Sequence, residues 1–479
     1  MRVLLLNPPE RHTVQANLPA AVEGLRGATP PIGLLYVAAA AREDGRHEVS
    51  FLDAHAERLD DAKLERAVGL LRPDVVGLPV NTFTLPDAVE VVKIVRRAAP
   101  ESVVVAGGLQ PFLYPRETAA LSLFDYALQG EAERSFPALL AAIDEWEGFE
   151  RVPGILFQRG GRIVTNPPPA PLENLDELPF PAHDLTPIRR YRSIVTSRHP
   201  IGIVISSRGC PFHCAFCSHS VTGKRFRTRS AENVIEEMAF CKSLGIRYIL
   251  FYDEVMTVNK ERMLALCEGI KGRDLRLPWM ARARVGSVDA ETFAAMKRAG
   301  CDLVTMGIES GSPRVLARLN RPVDTAAMVE TFRQARRAGL RTIAYFMIGN
   351  PDEKMADVRA SLRVAKKAGP DLVHASVFTP YPATDLYEEG RRTGRFRTDF
   401  WREFAAEPVA NFRPPLWTEP DVDEAEIGRR LRWFYRRFHL RPAYILRRLF
   451  SLRGPGDLAR HLRGLRALLS PRRWNAARE

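Results

Sequence analysis

The sequence predicts an α/β protein: an N-terminal doubly wound, Rossmann-like domain, a partial (β/α)6 barrel, and a basic helical C-terminal tail. Short apolar runs alternate with helical patterns over residues 1–150 and again over residues 196–390. A proline-rich stretch separates these regions, and the excess positive charge lies near the C-terminus. At roughly 100–200 residues per domain, 479 residues accommodate two to four domains.

Residues 1–150 are predicted to form the doubly wound domain. The expected strands lie at residues 3–6, 49–52, 75–78, 103–106 and 126–128, with helical patterns between them. In such sheets the ligand binds beyond the carboxyl ends of the strands. The residues at those ends suit a ligand site and are Asn7, Asp53, His55, Asn81, Thr82, Gly107, Gly108, Gly130 and Glu131.

Residues 151–195 are predicted to be a linker between the two globular halves. It begins with a hairpin that turns at Gly160-Gly161. Two segments rich in proline, 167–171 and 175–184, follow the hairpin and favour extended or turn conformations.

From residue 196 to residue 390 the alternation resumes and predicts a barrel of six β/α units. The expected strands lie at residues 203–206, 248–252, 279–284, 303–307, 342–348 and 372–378. Parallel barrels place their chemistry at the C-terminal ends of the strands. Distinctive residues lie at or near those ends: Asp253, Glu254, Arg282, Arg284, Glu309, Ser310 and Gly349.

Three cysteines at CxxxCxxC spacing, Cys210, Cys214 and Cys217, follow the first predicted barrel strand. A cubane iron–sulfur cluster normally takes four cysteine thiolates, so a local set of three leaves one iron open to a non-protein ligand. The alternative is structural zinc with His213 or His219 as the fourth ligand. Zinc sites favour paired arms, and the sequence contains no second arm, so a cluster is the expected occupant.

The other three cysteines, Cys241, Cys267 and Cys301, are scattered through predicted helices and strands. They are expected to be small buried hydrophobic residues and not part of a disulfide framework. The N-terminal apolar run is too short for a signal peptide, and no run reaches about 18 apolar residues. The sequence therefore predicts a cytoplasmic protein.

The cysteine loop, with Phe216 directly before its last cysteine, resembles the signature of the radical S-adenosylmethionine enzymes. The strand-end residues of the barrel resemble motifs of that family in the same order. The strand-end residues of the first domain together resemble the cobalamin-binding domain found ahead of many such barrels, so the resemblance covers residues 1–390. It implies a [4Fe–4S] cluster on the three cysteines, S-adenosylmethionine on the open iron, and cobalamin at the nine strand-end residues of the first domain.

The resemblance also implies which side chains bind S-adenosylmethionine. The candidates are Phe216, Asp253, Glu254, Arg284, Glu309, Ser310 and Gly349. Carboxylates suit the ammonium group, while Ser310 or Arg284 suits the carboxylate or ribose. The structural alternative for the charged residues is a ring of ion pairs at the barrel mouth.

The cobalt ligand is a separate question. Cobalamin domains that ligate cobalt through histidine carry DxHxxG, and in this chain Arg58 stands where that glycine would be. We therefore expect no histidine on the lower face of the cobalt.

The family's chemistry implies cleavage of S-adenosylmethionine to a 5′-deoxyadenosyl radical, hydrogen abstraction from an unactivated carbon, and methyl transfer from cobalamin. Two S-adenosylmethionine molecules would be used per methyl group, with electrons from a flavodoxin- or ferredoxin-type donor. The basic tail resembles that of members acting on hydrophobic molecules, which predicts a lipid-like, tetrapyrrole-like or polyketide-like substrate. The alternatives are cobalamin-dependent cyclisation or rearrangement without methylation, and a non-catalytic cobalamin or iron–sulfur sensor.

Residues 391–479 are predicted to be a C-terminal region with basic amphipathic helices. From Arg429 onward there are 15 arginines and two acids, so this segment has the net charge of the whole chain, +13. Apolar stripes are formed by Ile427, Leu431, Phe434 and Phe438, then, after Pro442, by Ile445, Leu446, Leu449 and Phe450, and finally by Leu458, Leu462, Leu465, Leu468 and Leu469.

Basic amphipathic helices are typical of contact with an anionic membrane, here the inner face of the cell membrane. One alternative packs the helices on the barrel with solvated arginines. The other is nucleic-acid binding, which no recognisable module accompanies. The expected partner is therefore the membrane surface.

Overall fold

The structure is a computed structural model that describes residues 1–14, 27–218 and 223–450. Its described strands form sheets of seven, two and six strands. Their bounds are β1 Arg2–Asn7, β2 Glu48–Asp53, β3 Val75–Pro79, β4 Val103–Gly107, β5 Tyr126–Leu128, β6 Ile155–Arg159, β7 Arg162–Thr165, β8 Ile201–Val204, β9 Ser207–Arg208, β10 Arg227–Thr228, β11 Tyr248–Phe251, β12 Trp279–Arg284, β13 Cys301–Glu309, β14 Arg341–Ile348 and β15 Leu372–Val377.

The first sheet has the order β2-β1-β3-β4-β5-β6-β7, and its first five strands run parallel. The helices of this domain are Ile32–Arg42, Ala54–Glu57, Asp61–Leu71, Leu85–Ala98, Leu109–Leu113, Pro115–Ala120 and Ser135–Glu145. Strand order reverses direction at β1, as in doubly wound folds. The Rossmann-like prediction is confirmed.

The hairpin that the sequence places in the linker is part of the first sheet. Strand β6 pairs antiparallel with β5 through Ala127 and Leu156, and β7 pairs antiparallel with β6. An edge strand of only three residues would otherwise expose its backbone groups, and the hairpin covers that edge. The rest of the connector contains short 3₁₀ turns at Leu175–Glu177, His183–Leu185 and Ile188–Arg190.

The second large sheet is the partial barrel, six parallel strands in the order β15-β14-β13-β12-β11-β8. The helices packed around it are Ala231–Ser243, Lys260–Gly272, Ala290–Arg298, Pro313–Arg318, Thr325–Arg337, Met355–Ala368 and Asp385–Arg392. Several begin with a capping side chain: the Ser230 hydroxyl accepts the Asn233 N–H, and the Asp289 carboxylate accepts the Thr292 N–H.

A helix at Glu424–His439 covers the open edge of this barrel. The hydroxyl of Tyr435 accepts a hydrogen bond from the Ala375 N–H at 2.8 Å and donates to the Ala375 carbonyl at 2.9 Å. Both groups belong to β15, the last strand, which has no neighbouring strand on that side. One side chain thus pairs backbone groups that an open barrel leaves at its edge.

The same helix corrects one sequence prediction. Its apolar stripe, Ile427, Leu431, Phe434 and Phe438, belongs to the barrel core and does not face a membrane. The Phe434 ring lies 5.1 Å from that of Phe346 on β14. The alternative in which this helix packs on the barrel is the one observed, although Arg430 is buried and not solvated.

A second C-terminal helix, Pro442–Phe450, begins at the predicted break. Its Ile445 and Leu446 side chains are 41% and 54% exposed. The stripe from Leu458 to Leu469 lies outside the described residues. Within the described part of the chain, every helix is too short or too polar to cross a membrane. A further short helix, Phe400–Ala406, belongs to an aromatic cluster described below.

Candidate functional site

The carboxyl ends of the two large sheets face a shared cavity of about 860 Å³. The N-terminal domain lines it with the loops that follow its parallel strands, and the barrel lines it with Ser207, Arg208, Tyr252 and Glu254. Of the nine predicted cobalamin residues, seven line this cavity, namely Asn7, His55, Asn81, Gly107, Gly108, Gly130 and Glu131. The cavity therefore joins the predicted cobalamin site to the entrance of the cysteine loop.

Two of the nine, Asp53 and Thr82, are buried behind the cavity wall. The Asp53 carboxylate accepts hydrogen bonds from Asn7 Nδ2 at 2.9 Å, the Ala56 N–H at 2.9 Å and the Tyr191 hydroxyl at 2.8 Å. It caps the helix Ala54–Glu57 and ties the loop end to the connector. Its geometry supports a positioning role and not direct contact with a ligand.

His55 lies at the cavity, where its Nδ1 accepts the Glu10 backbone N–H at 3.4 Å. An accepting Nδ1 places the ring proton on Nε2, so Nε2 has no lone pair for a metal in this tautomer. Arg58 has φ +56°, the left-handed conformation that usually favours glycine. The turn therefore keeps the glycine-like geometry even though arginine occupies the position.

Gly107 and Gly108 form part of the cavity floor at the end of β4. A Cβ added at Gly107 would meet no heavy atom within 4 Å, so a ligand can approach the backbone there. Gly108 has φ +105°, and an added Cβ would lie 3.0 Å from the Val80 carbonyl oxygen. A floor of backbone beside a large cavity fits a bulky, flat ligand such as a corrin ring.

The cysteine loop is carried by the two-stranded ribbon of β9 and β10, in which Arg208 pairs with Arg227. Gly209 opens the loop with φ +84°, and a Cβ there would lie 2.1 Å from the Arg225 carbonyl oxygen. No side chain fits in that space. Within the loop the Cys217 N–H donates to the Cys214 carbonyl at 3.0 Å, which turns the chain between these two cysteines.

The three cysteines of the loop differ in exposure. Cys210 and Cys214 are buried, whereas Cys217 is exposed at the edge of the loop. Burial raises the pKa of Cys210. The pKa of Cys217 is raised to about 11, first by desolvation of the Cys217 sulfur and then by the neighbouring thiols of Cys214 and Cys210. Thiolates here need compensating positive charge, which bound iron supplies. The donor set therefore fits a metal cluster.

Two arginines add to that positive charge. Arg284 Nη1 lies 3.5 Å from Cys214 Sγ, and its guanidinium stacks 3.9 Å from the centre of the Phe212 ring. Arg321 Nη1 lies 3.7 Å from the same sulfur, and its Nη2 donates to the Gly307 carbonyl at 2.6 Å. Arg321 is not among the residues predicted from the sequence to bind the cosubstrate, and it lies 107 residues from Cys214 and outside the strand-end positions.

The histidines of the zinc alternative do not complete a site in the described residues. His213 is exposed, and its Nδ1 lies 3.1 Å from Lys224 Nζ. His219 lies outside the described residues. The other three cysteines, Cys241, Cys267 and Cys301, are buried in the barrel core, in agreement with the prediction.

Two predicted S-adenosylmethionine contacts are engaged by the protein itself. The buried Asp253 carboxylate accepts hydrogen bonds from the Ser206 N–H at 3.2 Å, the Ser206 hydroxyl at 2.7 Å and the Ser207 hydroxyl. The Ser310 hydroxyl is buried, lies 3.2 Å from that of Ser361 and accepts the Ser312 N–H at 3.2 Å. These side chains fix strand ends, while the exposed Glu254 faces the cavity.

Glu309 sits at an irregularity in the pairing of β13 with β14, between Gly307 and Glu309. Its φ of +64° costs on the order of 1–2 kcal/mol for a non-glycine residue. A Cβ added at Gly307 would lie 2.1 Å from Glu309 Oε1, so glycine leaves room for this carboxyl. Burial raises the pKa of Glu309, and Arg321 and Arg284 oppose that shift. The bulge re-aims a charged side chain at the barrel mouth.

The loop after β14 is shaped by one buried carboxyl. The Gly349 N–H donates to Glu353 Oε2 at 2.6 Å, and Asn350 Nδ2 donates to Oε1 at 3.1 Å. Burial raises the pKa of Glu353 to about 7. The C-terminal helix reaches this loop, because Arg430 donates to the Glu353 carbonyl at 2.9 Å and Ile427 lies beside Gly349.

Phe216 is half-buried beside an aromatic cluster that both domains build. Phe83, from the loop after β3, makes edge contacts with Tyr381 at 5.0 Å and with the buried Trp401 at 5.5 Å. Met347 on β14 is half-buried against the same cluster. The sequence does not reveal this cluster, because its members come from distant segments.

Family models match both halves of the chain. The B12 binding domain model matches residues 20–140, and the Radical SAM superfamily model matches residues 204–365.

Relatives extend the match to the whole chain. An uncharacterised methyltransferase of Pyrococcus horikoshii is 33% identical over 97% of this chain and 98% of its own length. The anaerobic magnesium-protoporphyrin IX monomethyl ester cyclase of Rubrivivax gelatinosus is 26% identical over 93% of this chain and 78% of its own. The hopanoid C-3 methylase of Methylococcus capsulatus is 28% identical over 76% and 69%.

Solved structures share the fold. The cobalamin-dependent S-adenosylmethionine radical enzyme OxsB, with aqua-cobalamin and S-adenosylmethionine bound, superposes with a TM-score of 0.74 at 16% identity over 98% of this chain and 72% of that chain. The radical S-adenosylmethionine methyltransferase TsrM of Kitasatospora setae, with cobalamin and a [4Fe-4S] cluster, gives a TM-score of 0.66 at 20% identity over 82% and 75%. This chain belongs to the cobalamin-dependent radical S-adenosylmethionine enzymes, with a [4Fe–4S] cluster, S-adenosylmethionine and cobalamin as its cofactors.

Proposed function

We propose that this enzyme methylates an unactivated carbon of a hydrophobic biosynthetic intermediate. The observation that carries the proposal is the shared cavity between the glycine floor of the first sheet and the entrance of the cysteine loop. When bound, the cluster with S-adenosylmethionine supplies a hydrogen-abstracting radical and cobalamin supplies the methyl group. A substrate carbon in that cavity is within reach of both.

The chain's own residues bind and orient the cofactors. We assign the cluster to Cys210, Cys214 and Cys217. We assign S-adenosylmethionine contact to Phe216, Glu254, Arg284, Glu309 and Gly349, with Asp253 and Ser310 as positioning residues. Cobalamin contact falls to Asn7, Asn81, Gly107, Gly108 and Gly130, with His55 nearby but not on the cobalt.

The aromatic cluster supports a hydrophobic substrate. Phe83, Phe216, Met347 and Tyr381 are half-buried and come from both domains. A half-buried aromatic surface of this kind can bind apolar or ring-shaped groups. Named relatives that act on a hopanoid and on a magnesium-protoporphyrin ester agree with this class.

The test is anaerobic reconstitution followed by assay with S-adenosylmethionine that is isotopically labelled in its methyl group. Extract from a strain that lacks the gene supplies candidate substrates. We expect 5′-deoxyadenosine together with a labelled, apolar product. Formation of 5′-deoxyadenosine with an unlabelled product would favour cyclisation or rearrangement instead. Absence of any cleavage in the reconstituted protein would favour the sensor alternative.

We further propose that a flavodoxin- or ferredoxin-type protein reduces the cluster.

We also propose that the chain from Pro442 onward contacts an anionic membrane. The exposed Ile445 and Leu446, together with the arginines of this segment, support the membrane contact. Co-sedimentation should show binding to anionic but not neutral vesicles, lost on truncation before Pro442. Equal binding to neutral vesicles, or stronger binding to an RNA competitor, would contradict it.

A further inference from the structure

We propose that four buried ionic side chains clamp the cysteine ribbon onto the cobalamin domain and so hold the two cofactor sites at a fixed separation. The clamp consists of Arg208 and Arg227 on the ribbon and of Glu131 and Glu133 on the N-terminal domain. The inference rests on the proposed function in one respect, that the separation matters because both cofactors act on one substrate carbon.

One half of the clamp is a two-pronged ion pair. Arg227 Nη2 lies 2.6 Å from Glu131 Oε1, and its Nη1 donates to Oε2 at 2.9 Å. The same Nη1 donates to the Leu172 carbonyl at 2.7 Å, which adds the connector to the pair. The side chains of Arg227 and Glu131 are only 2% and 10% exposed. Paired, parallel hydrogen bonds of this kind define orientation as well as distance.

The other half involves Arg208. Its Nη2 lies 2.5 Å from Glu133 Oε1, and its Nη1 lies 3.3 Å from Glu131 Oε1. Its guanidinium also lies 5.1 Å from the centre of the Tyr36 ring. Glu131 thus serves both arginines, and because they engage its carboxylate we assign this predicted cobalamin-binding residue a positioning role.

The charges in the clamp compensate each other. Burial alone would raise the pKa of Glu131, but Arg227 and Arg208 outweigh burial and lower it. Burial opposes the charge on Arg208, and the carboxylates of Glu133 and Glu131, at 2.5 Å and 3.3 Å, stabilise it. Two cations and two anions therefore share one buried site, and removal of one partner would leave an uncompensated charge.

The position of the clamp in the fold links it to both cofactors. Arg208 and Arg227 lie opposite each other on β9 and β10, so the clamp contacts both strands of the ribbon that carries the cysteines. Arg208 is two residues before Cys210 in the sequence. Glu131 and Glu133 follow β5 and line the cobalamin cavity. A misplacement of about 1 Å between reacting groups can reduce a rate by about two orders of magnitude.

The primary test is Arg227→Lys, which keeps the positive charge but cannot form the two parallel hydrogen bonds that the guanidinium group makes with Glu131. Its matched control is Arg225→Lys, two residues before β10, because the side chains of Arg225 and its partner Glu173 are 75% and 58% exposed. The readout is the distance distribution between cob(II)alamin and the reduced cluster, both paramagnetic, measured by pulsed EPR on the reconstituted full chain. We expect a broader distribution for Arg227→Lys and the wild-type distribution for Arg225→Lys. An unchanged distribution in Arg227→Lys would overturn the clamp.

A second variant keeps the test decisive if the single exchange misfolds. The double exchange Arg227→Met with Glu131→Leu replaces an ion pair by apolar groups of similar volume, a change that buried pairs often tolerate. The double variant should retain iron and cobalamin but show a broader cobalamin–cluster distance distribution than the wild type. A distribution as narrow as that of the wild type would refute the proposal. In an assay with substrate, about tenfold more 5′-deoxyadenosine per methyl transferred is expected. The EPR result needs no substrate, so it stands even if methylation fails.

Discussion

The strand ends of the two parallel sheets differ in chemistry. Where β3 and β4 end, the first sheet gives the shared cavity backbone and neutral groups, namely Asn81, Gly107 and Gly108. At the cysteine loop of the barrel, Arg284 and Arg321 lie beside the Cys214 sulfur, and both favour the charged form of Glu309. A corrin ring is large and needs space, whereas a cluster and a zwitterionic cosubstrate are compact and need compensating charge. The carboxyl ends of parallel strands thus form the place where a ligand binds, and the side chains at those ends determine which ligand fits there.

The sheets also differ in how their last strands are covered. The first sheet gains the hairpin of β6 and β7, whereas β15 of the barrel is covered by the helix Glu424–His439 through Tyr435. A hairpin extends the ladder with backbone hydrogen bonds, and a helix can satisfy only selected groups with side chains. The barrel therefore depends on a distant segment that the first sheet does not need.

The largest expected effect concerns the charged side of this comparison. Exchange of Cys210, Cys214 or Cys217 for Ala should abolish the visible cluster absorbance and all cleavage of S-adenosylmethionine, because three thiolates leave no spare protein ligand. Iron analysis of the reconstituted variants is the measurement. The controls Cys241→Ala, Cys267→Ala and Cys301→Ala should keep full iron. A complete cluster in any of the first three would disprove the ligand assignment.

The second prediction concerns the covered edge of the barrel. Truncation before Glu424 should unfold the barrel, because the apolar residues of the helix each contribute about 1.5–3 kcal/mol by burial. Tyr435→Phe should lower the free energy of unfolding by about 1–3 kcal/mol, since it leaves two Ala375 backbone groups without their partner. Denaturant titration measures both. The exposed control Ile445→Ala should change little, and a stable, cluster-binding truncation would contradict the proposed packing.

The third prediction concerns the neutral side. Gly108→Val should prevent retention of cobalamin after gel filtration, because φ +105° and the nearby Val80 carbonyl exclude a branched side chain. Gly45→Ala is the control, since Gly45 also has a positive φ, of +69°, but lies outside the cavity. Full cobalamin content in Gly108→Val would show that the glycine floor does not contact the ligand.

The smallest effect is expected at His55. His55→Ala should leave the visible spectrum and the affinity of bound cobalamin nearly unchanged, because Nδ1 accepts the Glu10 N–H and leaves no lone pair on Nε2. Absorbance titration with cobalamin decides the point. A clear spectral shift in the variant would identify His55 as the cobalt ligand despite Arg58.

Local patterns determined much of this protein from the sequence alone. The strand Trp279–Arg284 has the predicted bounds, since hydrophobic patterning acts over a few neighbouring positions. The three cysteines and the strand-end residues were also recognisable, because spacing along one loop or strand determines which side chains share an end of a sheet.

Only the tertiary structure decided what these side chains contact. Arg321 lies 107 residues from Cys214, and Arg227 lies 96 residues from Glu131. The sequence makes Asp253 a candidate for cosubstrate binding, whereas in the folded chain its carboxylate accepts hydrogen bonds from the Ser206 and Ser207 hydroxyls. The tail helix has the composition of a membrane-binding segment, yet its apolar face covers the barrel. An amphipathic pattern specifies that a face is buried, and only the folded chain specifies against what.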